Sequence, residues 1–147
     1  MFLSRRTCVT GVIATAIVFS LFSNTVHGQT PTPNVVAVYF INLKNGQTVK
    51  SPFKVQFGLM GMGIAPAGVQ KEKTGHHHLF IDTIFSTDDA GVPIPLDSRH
   101  MHFGGGQTET TLALPPGRHT LQLVLGDSLH IPVNPPVVSP AINITVK

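Results

Sequence analysis

Apolar and polar positions alternate along much of this chain, and each alternating stretch ends at turn-forming residues. Phe53, Val55, Phe57 and Leu59 share one face of a stretch that Pro52 bounds on one side and Gly61 and Gly63 on the other. That is the pattern of a strand with one side against a core. Residues 35–41 are rich in β-branched and aromatic side chains and are followed by the turn pair Asn45-Gly46. Residues 107–114 alternate again and stop at Pro115-Pro116-Gly117. Residues 119–125 place Leu121, Leu123 and Leu125 on one face and stop at Gly126-Asp127. Residues 76–84 and 141–146 complete the set. Beyond residue 28 no stretch longer than about ten residues shows a helical period. The pattern predicts an all-β domain, a single antiparallel immunoglobulin-like β-sandwich of about seven strands; a small barrel is the alternative.

The first residues read as a targeting segment. Arg5 and Arg6 precede an apolar run over residues 9–22, of signal-peptide length and short for a membrane span. The small residue Gly28 places cleavage before Gln29. The predicted organisation is a signal peptide over 1–28, an extended lead-in over 29–34 with Pro31 and Pro33, and a β-sandwich domain over 35–147. Removing 28 of the 147 residues leaves 119, enough for one core. It also removes Arg5, Arg6 and the only cysteine, leaving eight basic against seven acidic side chains. A near-neutral domain without a basic stripe is a poor nucleic-acid binder. An exported domain with no thiol holds any metal through imidazole, carboxylate or thioether. These features predict a periplasmic or secreted protein that is free of the membrane after cleavage.

Candidate chemistry lies in the histidines. Five of the eight fall in Gly75-His76-His77-His78-Leu79-Phe80-Ile81-Asp82 and Arg99-His100-Met101-His102-Phe103, each stretch with a His-x-His pair. On strands, period-two alternation puts His76 with His78 and His100 with His102. Four imidazoles suffice for tetrahedral zinc or nitrogen-rich copper, so these four are the candidate ligands. The secondary candidates are His77, His119, His130 and Asp82. Parity sends His77 to the core face with Leu79 and Ile81, where it is expected to be tied to a backbone carbonyl. His119 shares its face with the core leucines. Asp82 is suited to orient an imidazole or to cap the following loop. Met60, Met62 and Met101 bring thioethers, which tips the choice of ion from zinc towards copper. His27 as a mature N-terminus would suggest a copper-chelating brace, but Val26 is a poor residue to cleave after and the chain has no Trp.

Several phrases together carry a resemblance. Asn45-Gly46-Gln47-Thr48-Val49-Lys50-Ser51-Pro52-Phe53 resembles the opening hairpin of exported bacterial immunoglobulin-like domains. Pro116-Gly117-Arg118-His119-Thr120-Leu121-Gln122-Leu123 with Asp127 resembles a late strand of such domains. Phe57-Gly58-Leu59, Gly61-Met62-Gly63, Ala65-Pro66-Ala67-Gly68, the His76 stretch, His102-Phe103-Gly104 and Gly106-Gln107-Thr108-Glu109 complete the set. With them the chain resembles the exported bacterial family described as domain of unknown function 4399. The resemblance implies a compact exported β-domain with a histidine-rich pattern, and no reaction.

The sequence lacks a nucleophile elbow, a His-Glu-x-x-His helix and paired carboxylates. The function expected is non-enzymatic binding of copper or zinc. The competing expectation is a structural or protein-interaction module whose histidines bond internally, and a metal-dependent enzyme is the third class.

Overall fold

The computed structural model describes residues 35–147; the signal peptide and lead-in expected over 1–34, with Cys8 and His27, lie outside them. Nine strands are described: β1 (Ala37–Phe40), β2 (Thr48–Val49), β3 (Phe53–Met60), β4 (Gly63–Ile64), β5 (Thr74–Ile81), β6 (His100–His102), β7 (Glu109–Leu112), β8 (Gly117–Gly126) and β9 (Ile142–Val146). The only helical element among the described residues is a single 3-10 turn, Thr87–Asp89. None of their helices is long and apolar enough to cross a membrane.

Two open sheets result. The first is antiparallel with order β1-β3-β7; the second runs β2-β9-β8-β5-β4, and β6 pairs with β5. Alternation works as expected on β3, where Phe53, Val55 and Phe57 are buried and Lys54 faces solvent beside Glu109. Those apolar residues meet Leu79, Leu121, Leu123, Leu125 and Ile144 of the second sheet in one shared cluster.

The all-antiparallel expectation is corrected in the second sheet, which is mixed: β2 runs parallel to β9, and β4 parallel to β5. Each is a two-residue edge strand fixed by its surroundings. The turn before β2 is held to β9 by Gly46 N–H donating to the Asn143 carbonyl and Asn143 N–H donating to Asn45 Oδ1. β4 is held by Gly63 N–H to Lys73 and Ala65 N–H to Gly75.

β5 is central and buried over nearly its whole length. Its other face carries a second apolar cluster of Phe80, Ile94 and Val124, with Phe85 and Val138 packed against it. β5 stops earlier than the expected residue 84, because Asp82 adopts a left-handed φ of 54°.

Candidate metal centre

Three adjacent strands deliver the histidines to one place. β5 sits between β8 and β6, with His76 opposite Gly126, His78 opposite Val124 and His102, and Phe80 opposite His100. Parity turns His77, Leu79 and Ile81 to the shared core, so His76, His78, His100 and His102 face the other side. The turn after β8 then brings His130 over the same face.

Four rings converge: those of His76, His78, His102 and His130. Their centroids lie 4.8 Å apart for His76–His78, 4.9 Å for His76–His102 and 5.2 Å for His76–His130. The remaining separations are 5.0 Å for His78–His102, 6.1 Å for His78–His130 and 4.5 Å for His102–His130. His76, His102 and His130 each offer a ring nitrogen, all within 4.8 Å of one another. The Nε2 atoms of His76 and His78 are 3.0 Å apart. His76 and His78 are fully buried, whereas His102 and His130 are half-buried.

Two glycines make the space. A Cβ on Gly126 would lie 2.8 Å from His78 Nε2, and one on Gly104 would lie 2.2 Å from His102 Cε1. Neither has a positive φ, so what glycine supplies there is room for an imidazole.

The environment disfavours the charged form of the His76, His78 and His102 rings. Burial, with the neighbouring His102 and His130, lowers the His76 pKa to about 4, and Asp127 opposes the shift. Burial and four surrounding histidines lower His78 to about 3. Burial and His130 lower His102 as well. A neutral imidazole keeps a lone pair, which is what a metal ion requires. His76 Nδ1, His78 Nδ1 and His102 Nε2 are buried with no hydrogen-bond partner.

The other candidates go elsewhere. His100 is on the expected face but outside the cluster of ligand atoms: its Nδ1 is 2.8 Å from Asp97 Oδ1 and its ring stands edge-on to Phe80 at 4.5 Å. His119 places Nδ1 2.9 Å from Asp82 Oδ2 and Nε2 2.9 Å from the Pro115 carbonyl. With an oxygen acceptor at each nitrogen it fits as an imidazolium and has no lone pair to offer. Burial lowers its pKa, but the bonds to Asp82 and Pro115 outweigh this and raise it. Asp82 therefore orients His119 and none of the clustered rings; its Oδ1 also accepts from Thr120 N–H.

His77 is buried against Phe57, as parity predicts, with ring centroids 5.2 Å apart. The expected backbone partner is absent, since neither of its nitrogens has one. The core face of β5 meets aromatic and aliphatic side chains, and the carbonyls nearby are engaged in the ladder. Among the described residues no methionine joins the site: Met101 and Met62 pack against the shared core and Met60 is exposed.

His130 enters from a turn, and in the sequence it stands only among the secondary candidates. Gly126, which stands opposite His76, becomes visible as part of the site only once strand register is known.

A family profile described as "Domain of unknown function (DUF4399)" matches residues 55–147, a span that contains all four clustered histidines. No curated protein matches the chain. Among solved structures, the X-ray structure of the endo-beta-1,4-mannanase from Thermotoga petrophila is similar with a TM-score of 0.46 at 16% identity, covering 80% of this chain and 21% of that one. The chain thus corresponds to about a fifth of the mannanase chain's length.

Proposed function

We propose, for a chain that belongs to the family described as domain of unknown function 4399, that it binds one divalent transition-metal ion, copper or zinc, without catalysing a reaction. The ligands are His76, His102 and His130, with His78 as the fourth donor. The observation that carries this reading is the convergence of four imidazoles, every pair of ring centroids lying between 4.5 and 6.1 Å apart. A tetrahedral ion with bonds near 2 Å needs nitrogens about 3.3 Å apart. His76 and His78 stand close to that already, and the nitrogens of His102 and His130, which lie with one of His76 within 4.8 Å of one another, would draw in by ring rotation.

An all-nitrogen set suits Cu²⁺ or Zn²⁺, and Cu²⁺ binds more tightly at a given nitrogen site. The thioether argument for copper loses its support from Met60, Met62 and Met101, which pack on the shared core or face solvent. We read the two sheets around one shared core as an immunoglobulin-like β-sandwich. We place the protein in the periplasm or outside the cell, on the basic and apolar pattern of residues 1–28.

The competing reading is a structural or interaction module. The 3.0 Å contact between His76 Nε2 and His78 Nε2 favours it, since two neutral imidazoles can share an N–H···N bond.

Competition of the tag-free protein with a chromogenic chelator for Cu²⁺ and for Zn²⁺ separates the two. Metal binding predicts at least a 100-fold loss of affinity on changing His76, His78, His102 and His130 to alanine. It predicts a similar direction for the rim variants His102→Ala and His130→Ala, which leave the buried pair in place. Equal affinity of the wild type and all three variants for both ions would establish the structural reading instead.

A further inference from the structure

We infer that Asp127 is the positioning residue of this metal site, acting through the turn that holds His130; the inference rests on the metal-binding reading above. His130 is the one clustered histidine outside a strand, so no ladder fixes its place. Its backbone lies in the left-handed region with φ 66°, where only a few per cent of non-glycine residues lie, even though Asn, Asp and His visit it more often than the rest. A non-glycine residue stays there only where the surroundings determine it.

Asp127 supplies that determination. Its Oδ1 accepts from Leu129 N–H at 2.8 Å and from Ile131 N–H at 3.0 Å, on either side of His130. Its backbone closes the same loop: His130 N–H donates to the Asp127 carbonyl at 3.1 Å, and Asp127 N–H donates to the Ile131 carbonyl at 2.8 Å. Two ties from outside hold the turn against the domain. Ile94 N–H donates to the His130 carbonyl at 2.8 Å, and Gly68 N–H donates to the Ser128 carbonyl at 3.0 Å. Residue 127 follows Gly126, whose missing Cβ makes room for the His78 ring. Consecutive residues thus shape the buried side of the site and deliver its outer ligand.

Asp127 is outside the group of mutually close ligand atoms, and one carboxylate oxygen is committed to two N–H groups. Its role is therefore to place His130, and what matters is the acceptor at Oδ1. Asn retains that acceptor and Ala removes it.

The test is Cu²⁺ and Zn²⁺ affinity by chelator competition for the wild type, Asp127→Ala, Asp127→Asn, His130→Ala and the double variant Asp127→Ala/His130→Ala, with metal-free thermal melts of each. Removing a group that orients a ligand is expected to cost 10- to 100-fold in affinity. Asp127→Ala should fall in that range and Asp127→Asn should stay within about threefold of the wild type. In the His130→Ala background, Asp127→Ala should change affinity less than twofold, since the ligand it positions is gone. An equal loss in both backgrounds means a general effect on the fold, and overturns the inference. So does wild-type affinity in Asp127→Ala, or a loss in Asp127→Asn as large as in Asp127→Ala. A wild type that binds neither ion more tightly than His130→Ala takes His130 out of the site and overturns the inference, whereas a wild type that binds neither ion more tightly than the variant with His76, His78, His102 and His130 all changed to alanine overturns the metal reading itself.

Discussion

His77→Phe is expected to stabilise the metal-free domain. His77 is 0% exposed, and its ring lies against Phe57, which in turn packs on Phe103 with centroids 4.7 Å apart. Both of its nitrogens are buried without a partner. An unsatisfied buried polar atom costs about 1–3 kcal/mol, so two of them cost about 2–6 kcal/mol relative to an apolar ring of the same shape. Phenylalanine is slightly larger, and overpacking offsets about 1–3 kcal/mol of that gain. The net expectation at pH 7 is stabilisation by about 1–3 kcal/mol. For a domain of this size that is a rise in Tm of about 4 °C per kcal/mol.

Acid sharpens the difference. Burial, with His76 beside it, lowers the His77 pKa to about 4, below the ordinary 6.5 of an unfolded chain. Between those values the unfolded state binds a proton that the folded state refuses, so stability falls as pH falls. Each pH unit is worth about 1.4 kcal/mol, so the wild type loses about 3 kcal/mol at this residue by pH 4, and His77→Phe loses none of it. Urea unfolding of both proteins at pH 7 and pH 5, in the presence of a chelator, measures both effects. A variant less stable than the wild type by more than 1 kcal/mol at pH 7, with an unchanged difference at pH 5, would refute the reasoning and show that His77 is hydrogen-bonded.

Other consequences follow from the same geometry. Gly126→Ala and Gly104→Ala drive a methyl into the His78 and His102 rings; chelator competition should show at least a tenfold loss of metal affinity for each. His100→Ala, whose ring is held by Asp97 and Phe80, should leave affinity within about twofold of the wild type. His130→Gly should lower metal affinity as much as His130→Ala while leaving the metal-free domain about 1 kcal/mol more stable than His130→Ala, because glycine relieves the left-handed backbone; paired melts compare them. The raised pKa of His119 stabilises the fold fully below pH 6.5, and that contribution is lost as pH rises through the folded value. Asp82→Asn should therefore flatten the decline of stability on the alkaline side, as urea titrations at pH 6 and pH 9 would show.

Most of the longer strands were legible because turn chemistry marks their ends. Asn45-Gly46, Pro115-Pro116-Gly117 and Gly126-Asp127 each border a strand close to the predicted limit. The edge strands β2 and β4 were not, since two residues carry no period, and their pairing depends on hydrogen bonds from residues distant in sequence. Parity correctly separated Met101 from His100 and His102, and His77 from His76 and His78. It did not reveal that β5 is covered on both faces, because alternation tells two sides apart without saying what lies against each. The cover comes from residues 83–96 and the turn after β8, whose placement is tertiary.

What divides the histidines in the end is the number of acceptors each ring meets. Residue type and spacing made His100 and His102 equivalent, yet one step of register puts His100 opposite Phe80 and within reach of Asp97, and His102 opposite His78. His119 meets an oxygen at both nitrogens, which favours its charged form. His77 meets none and sits in an apolar core, where a cation would be costly and no second ligand is near. Among the described histidines, only His76, His78, His102 and His130 combine ring nitrogens without an oxygen partner with one another's company. Four rings crowded together gain little from each other beyond one N–H···N bond, and three of their buried nitrogens have no partner. A packed domain that served structure alone could fill this space with leucine or phenylalanine at lower cost. The arrangement is favourable as a whole when a cation draws the lone pairs inward, and that is the physical ground for preferring a bound ion to an internal hydrogen bond.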